Sequence, residues 1–406
     1  MDAYRDRLAT ALETAVRIYR AKIPPPTLLS SPDSVVLEPL SAAIRECCAF
    51  QAVAGHVLYS GGAGPILDAP LLAAQLFQRG ESRNDPKDAV DWLLRVLTTR
   101  ETRGLFKAAI WGFSLDEEVF LLDSCRLMPF ETMSDSFMKS RITERAKPCY
   151  DGSVWLSHTY FDTPRVAFVK EVPHFPYIGT DGACFRRIAQ LEDEARELWV
   201  LIESASIGHP LAIGCWFEYA DRDLDIAEWQ NAIAWILPEI HPHIARCTPA
   251  SGTAIQDDLR RYTALPGGLR SDLLRSMNRF MLSQCRHQII DRILDLTLAF
   301  EIAVSGNADQ APPSWKVSVR STQLIGGVLK ARQSNRQRIN DLYRLRNKAT
   351  HGSNLTGRDT SKQQTIVQDC SEIYRELLKS FLVLGAEPEW STLELEPRTT
   401  GKATTH

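Results

Sequence analysis

The chain has 406 residues, 44% of them hydrophobic, which is enough apolar surface for two or three packed domains. Its formal net charge of −3 at pH 7 excludes a protein that coats nucleic acid over its whole surface, and confines any polyanion contact to a local patch. The cysteines are odd in number and scattered without a CxxC pair or a zinc-ligand spacing, so they read as reduced thiols of a cytoplasmic protein.

Helical periodicity opens the chain over residues 4–22, where Leu8, Leu12, Ala15 and Ile18 recur before Pro24, Pro25 and Pro26 stop the helix. Charges run through this stretch, unlike a signal peptide. No uncharged apolar run in the chain approaches ~18 residues, so no membrane span is expected. Further helices are predicted over residues 38–58, 69–79 and 86–112. From residue 115 the texture changes to short runs such as "EEVFLLDSCRLMPFE", "GSVWLSHTYF", "RVAFVKEV" and "HPLAIGCWFEYAD", separated by Gly, Pro and Asp. These predict a β-containing middle section. Its aromatic residues Trp155, Tyr160, Phe161, Trp216 and Tyr219 read as strand core sooner than as stacking surfaces for bases.

A Pro-Gly-Gly turn near residue 265 ends this section, and the chain becomes helical again. One helix is predicted over residues 271–304, with Leu273, Met277, Phe280, Ile289, Ile293, Leu296 and Phe300 on its apolar positions. At ~1.5 Å per residue it would be roughly 50 Å long. A second helix follows over 314–331, and "NRQRINDLYRLRNKAT" forms a third with Ile339, Leu342, Leu345 and Ala349 inward. The fourth covers 362–384, where Ile366, Cys370, Ile373, Tyr374, Leu377, Leu378, Phe381 and Leu382 make one stripe. The expected fold class is α+β multidomain. A helical segment (1–114) and a β-containing segment (115–265) form a mixed N-terminal region, an all-α four-helix bundle occupies 266–388, and 389–406 is a disordered tail.

The chemistry-bearing residue types gather in "NDLYRLRNKATHGSN", residues 340–354. Residues 330–350 hold Lys330, Arg332, Arg336, Arg338, Arg344, Arg346 and Lys348 against the single acid Asp341, a local polycation in an acidic protein. Such a face is also what a solvated helix shows, and cations near a helix C-terminus complement its dipole. In one continuous helix Arg346 and His351 would point about 140° apart, whereas Asn347 and His351 share a face. Arg346 and His351 converge if the helix ends at Gly352 and its last turn distorts, or if two copies meet and pool their residues. A histidine that exchanges protons near neutral pH and a permanently charged guanidinium fork are the minimum set for cleaving an RNA phosphodiester without metal. Other features carry less. His241 and His243 flank Pro242 without a ligand spacing, "YSGGAGP" lacks the Gly-Lys-Ser/Thr ending of a phosphate loop, and no Ser or Cys sits in a nucleophile motif. Neither a metal nor a cofactor is expected.

Residues 270–385 resemble the Apea-like branch of the HEPN superfamily. "YRLRNKATHG" is similar to that family's Tyr-x-x-Arg-(Ser/Asn)-x-x-x-His-Gly, "IIDRILDLTLAFEIAV" to its acidic first helix, and "WKVSVRSTQLIG" to its second, with an Arg at Arg320. The resemblance implies a metal-independent endoribonuclease, usually dimeric, of the kind found among bacterial toxins and phage-defence effectors. It makes Arg346 and His351 catalytic and Asn347 the polar residue that orients them; the local charge excess, read by itself, assigns Lys330, Arg332, Arg336, Arg338, Arg344 and Lys348 to holding RNA. The resemblance places Arg320, Asp291, Asp295, Glu301 and Tyr343 in supporting positions, with a buried Arg320 paired to a carboxylate on a neighbouring helix. The implied partners are an RNA substrate, a second copy of the chain, and a phage-derived or protein trigger for a sensing N-terminal region. The competing expectation is a non-catalytic bundle that dimerises and binds RNA, a nucleotide or a protein.

Overall fold

The computed structural model describes residues 2–21, 34–59, 64–83, 85–121, 124–146, 164–180, 182–205, 211–224, 248–286, 288–305, 313–350 and 360–395. "GSVWLSHTYF", with Trp155, Tyr160 and Phe161, lies outside these residues, as do His241, His243, His351 and Gly352. By packing, the chain divides into two compact units, each discontinuous in sequence. The first is 1–107, 170–192 and 215–234; the second is 108–169, 193–214 and 235–406.

The described residues up to 98 are mostly helical: α1 (Asp2–Arg20), α2 (Ser34–Arg45), the single turn α3 (Cys48–Gln51), the short β1 (Val57–Leu58), α4 (Ala69–Arg83) and α5 (Pro86–Thr98). Leu8, Leu12, Leu40, Ile44, Leu72, Leu76, Leu93 and Leu97 from α1, α2, α4 and α5 are fully buried against one another. Asp85 starts α5 by accepting hydrogen bonds from the Lys87 and Asp88 backbone N–H groups, with Pro86 in the first turn.

The helix expected to run from 86 to 112 stops at Thr98, and β2 (Glu101–Trp111) replaces its second half. The run "LFKAAIW" is buried on both faces, so it lacks the alternation that marks a strand. Gly104 permits the pairing that decides it. A Cβ there would lie 2.3 Å from the Glu218 carbonyl oxygen. The β-rich part continues with β3 (Phe113–Ser114), β4 (Val119–Phe120), β5 (Cys125–Pro129), α6 (Phe137–Ala146), β6 (Val166–Pro176), β7 (Ile178–Gly179), α7 (Ala183–Ala205), β8 (Leu211–Tyr219) and β9 (Thr248–Pro249). Five strands form a sheet in the order β4-β5-β6-β2-β8, and two-stranded pairs join β1 to β7 and β3 to β9. Trp216 and Tyr219 are strand core, 1% and 4% exposed.

From residue 252 the described chain is helical: α8 (Gly252–Thr263), α9 (Gly267–Cys285), α10 (Ile289–Val304), α11 (Ser314–Ile325), α12 (Leu329–Thr350), α13 (Thr360–Leu384) and α14 (Trp390–Leu393). The single long helix expected over 271–304 is therefore two. Arg286 and Gln288 take extended backbone angles, and α9 and α10 fold back into the most extensively packed helix pair of the chain. A straight ~50 Å rod would leave much of its apolar stripe in water. The hairpin buries Phe280, Ile293, Leu296 and Phe300 instead. Tyr374 of α13 closes this core. It stacks on Phe280 at 4.5 Å, meets Phe300 edge-on at 5.5 Å and shares a 2.6 Å hydrogen bond with the Ser276 hydroxyl.

Residues 389–395, expected to begin a disordered tail, are folded. The Trp390 ring meets Phe381 edge-on at 6.1 Å, and Glu394 pairs with Arg320 and Lys316. Residues 396–406 lie outside the described residues. Among the described residues, no helix is long and apolar enough to cross a membrane.

Helix α11 ends on Gly326, buried at φ 77° and ψ −148°, and Gly327 follows at φ 90°. These angles are open to glycine and strained for any L side chain. Gly326→Ala is expected to lower the unfolding free energy by about 1–3 kcal/mol in urea titration. Val328→Ala, at a side chain 74% exposed, should stay within about 0.5 kcal/mol of the parent.

Candidate active site on helix α12

Successive helical residues turn by ~100°, so a stripe repeats every three or four positions. On α12 the buried stripe is Ile339, Leu342 and Tyr343, and Arg346 is the next residue on it, three after Tyr343 and four after Leu342. Arg346 is half-buried at the last turn of the helix. Leu345 and Ala349, expected inward, sit at the stripe's margin and are half-buried.

Opposite this turn lies Glu301 on α10, 8% exposed. The Tyr343 hydroxyl donates to Glu301 Oε1 at 3.2 Å. Burial pushes the Glu301 carboxyl above its ordinary range, against the opposing pull of the Arg346 charge and the Tyr343 hydrogen bond. Burial and the Glu301 carboxylate also hold the Tyr343 hydroxyl protonated far above its usual range, so it remains a donor. Of the sequence-predicted residues, Arg346, Tyr343 and Glu301 are brought together. The Thr350 hydroxyl donates to the carbonyls of Arg346 and Asn347, each at 3.1 Å, and closes the final turn. Asn347 is exposed beside it.

The basic residues expected to hold RNA fall into two groups. Arg338 pairs with Asp369 at 3.5 Å, Arg344 with Asp341 at 2.8 Å, and half-buried Arg332 donates to the Gln323 side chain. Lys330, Arg336 and Lys348 are exposed and make no ion pair among the described residues. A phosphate backbone would meet these three cations at no cost in broken pairs.

The remaining supporting positions serve other joints. Asp295, 6% exposed, takes Arg279 at 3.1 Å and Arg286 at 3.2 Å, tying the link between α9 and α10. Asp291 is exposed in the first turn of α10, where a negative charge complements the helix dipole. Arg320 is buried, as expected, but its carboxylate is Glu394, at 2.7 Å, beyond α14 rather than on α10. The same guanidinium donates to the carbonyls of Val304 at 2.6 Å and Ser305 at 3.1 Å, capping α10, and lies 4.9 Å from the centre of the Trp390 ring. Trp390 and Glu394 were missed because periodicity vanishes after Gly385. An isolated Trp among acids was the available signal.

Partial burial raises the Glu394 carboxyl, but the hydrogen bonds and charges of Arg320 and Lys316 carry it below the ordinary range. A depressed folded-state value means stability that is present above the unfolded value, near 4.3, and lost as pH falls through the folded one. Glu394→Gln should therefore cost about 1–2 kcal/mol at pH 7. The gap from the parent should close progressively below about pH 4 when denaturation is followed by α-helical circular dichroism.

No protein-family model, curated protein or solved structure matches the chain.

Proposed function

We propose that the C-terminal helical region is a HEPN-type bundle acting as a metal-independent endoribonuclease. On this reading His351 exchanges protons and Arg346 stabilises charge at a cleft shared by two copies. The observation that carries it is Arg346 itself: a half-buried guanidinium in the last turn of α12, close enough to the buried Glu301–Tyr343 pair to act on its charge, and five residues before His351 in the sequence.

In the reaction, one imidazole removes the proton of a ribose 2′-hydroxyl as its oxygen attacks the adjacent phosphorus. The bond from phosphorus to the 5′-oxygen breaks, and a second imidazole, from the other copy, gives that oxygen a proton. The Arg346 guanidinium matches the charge gathering on the phosphoryl oxygens. The products are a 2′,3′-cyclic phosphate and a free 5′-hydroxyl, and DNA, which lacks the nucleophile, resists. The mixed α/β N-terminal region then senses or restrains, within a cytoplasmic phage-defence or toxin protein.

Purified protein is expected to cut RNA in EDTA, with His351→Ala and Arg346→Ala each slowing cleavage by about 100-fold or more. Arg346→Lys, which keeps the charge opposite Glu301, separates lost chemistry from lost packing. Undiminished cleavage by the His351→Ala protein sinks the reading.

One observation favours the non-catalytic alternative: an arginine opposed to a carboxylate of its own chain is also what a structural charge pair looks like. RNA affinity measured against salt addresses the surface that both readings share. The triple variant Lys330→Ala, Arg336→Ala, Lys348→Ala should flatten the log–log salt slope by about 2 units. An unchanged slope would remove α12 as the RNA face.

A further inference from the structure

The first unit contains a cavity of about 260 Å³ lined by Tyr59, Phe106, Phe185, Ile188, Glu192 and Cys215. Its walls are aromatic and aliphatic, and its charge is a single carboxylate. The Tyr59 and Phe185 rings meet edge to face, 6.0 Å apart at 76°. Behind them Tyr59 rests on Phe175 at 5.2 Å, Phe175 stacks on Phe217 at 3.9 Å, and the Tyr219 hydroxyl donates to the Tyr59 carbonyl. The wall is therefore held from outside the cavity. Phe185, 43% exposed, stands at the mouth and can do so only because residue 64 is glycine, where a Cβ would lie 2.2 Å from Phe185 Cζ.

Two polar groups in this cavity are left incomplete. Glu192 accepts one hydrogen bond, from the Cys215 thiol at 3.2 Å, and no cation pairs with it among the described residues. Residues 60–63, which separate Tyr59 from Gly64 in the chain, are Ser, Gly, Gly and Ala, so they bring no charge either. Tyr59 is 2% exposed, yet its hydroxyl makes no hydrogen bond among the described residues. Burial, with Cys215 and Glu192 close by, raises its pKa and keeps that hydroxyl a donor. Both groups therefore face the cavity with bonding capacity to spare, a donor on Tyr59 and a half-buried carboxylate on Glu192.

We propose that this cavity is a binding site for a small alkylammonium ion that also carries a hydroxyl. The positive head would lie against the exposed Phe185 ring at the mouth with Glu192 as counter-ion, and the hydroxyl oxygen would accept from Tyr59. Aromatic faces attract a cation through their quadrupole, and a nearby carboxylate selects cation over neutral isostere. The site would give the N-terminal region a ligand of its own, independently of any reaction on RNA.

The test is calorimetric titration of the full chain with choline and, separately, with its neutral isostere 3,3-dimethylbutan-1-ol. Choline is expected to bind, the isostere at least about tenfold more weakly, and Glu192→Gln to lose about tenfold or more in choline affinity. Phe185→Ala, at the exposed mouth, should weaken binding with an unchanged melting temperature, which guards against a misfolded Glu192 variant. Choline binding weaker than about 10 mM overturns the proposal. So does equal affinity for the isostere, or a Glu192→Gln protein that binds as the parent does. RNA cleavage is not read in any arm, so failure here leaves the ribonuclease reading to its own experiment.

Discussion

A guanidinium on the apolar stripe of a helix is the constraint on which the C-terminal architecture turns. Arg346 follows the buried series Ile339, Leu342, Tyr343 along the helix and is itself half-buried. Glu301 on α10 accepts from the Tyr343 hydroxyl at 3.2 Å, and the Arg346 charge acts on that carboxyl from a distance, without an ion pair between them. Burial raises the carboxyl, the arginine lowers it, and the tyrosine stays protonated beside it.

The surrounding helices make the last turn of α12 a fixed point. Tyr374 joins α13 to both arms of the α9–α10 hairpin through two ring contacts and one hydrogen bond. Asp295 holds the hairpin's link through Arg279 and Arg286. Arg320 satisfies the carbonyls that α10 leaves open at its end and brings in Glu394 and Trp390 from the far end of the chain. Glu301 sits on α10 between these two fastenings, at Asp295 and at Val304, so the carboxylate that the Arg346 charge acts on is carried on a helix fixed at both ends.

The first unit uses polar groups in the opposite way. Where the C-terminal region pairs Arg320 with Glu394, the cavity beside Tyr59 keeps Glu192 uncompensated behind a wall of rings braced by Phe175 and Phe217. Gly64, part of a stretch that reads as an ordinary flexible turn, is there because Phe185 occupies the space of its missing side chain.

Local pattern alone carried a good deal. The existence of α1, α4 and α13 and the basic character of α12 follow from periodicity and residue type, because an amphipathic helix writes its buried face into the sequence every three or four residues. The pattern put Leu345 and Ala349 on the inward face with Ile339 and Leu342, whereas the buried stripe is Ile339, Leu342 and Tyr343. Other features depend on atoms far apart in the chain. A strand buried on both faces has no alternation, so only the approach of β8 across Gly104 distinguishes β2 from a helix. The break between α9 and α10 follows from the apolar area gained when the hairpin closes. The pairing of Arg320 with Glu394, the hydrogen bond from Tyr343 to Glu301, and the open carboxylate at Glu192 were likewise decided by tertiary structure, because polar pairing depends on distance in space and not on separation along the chain.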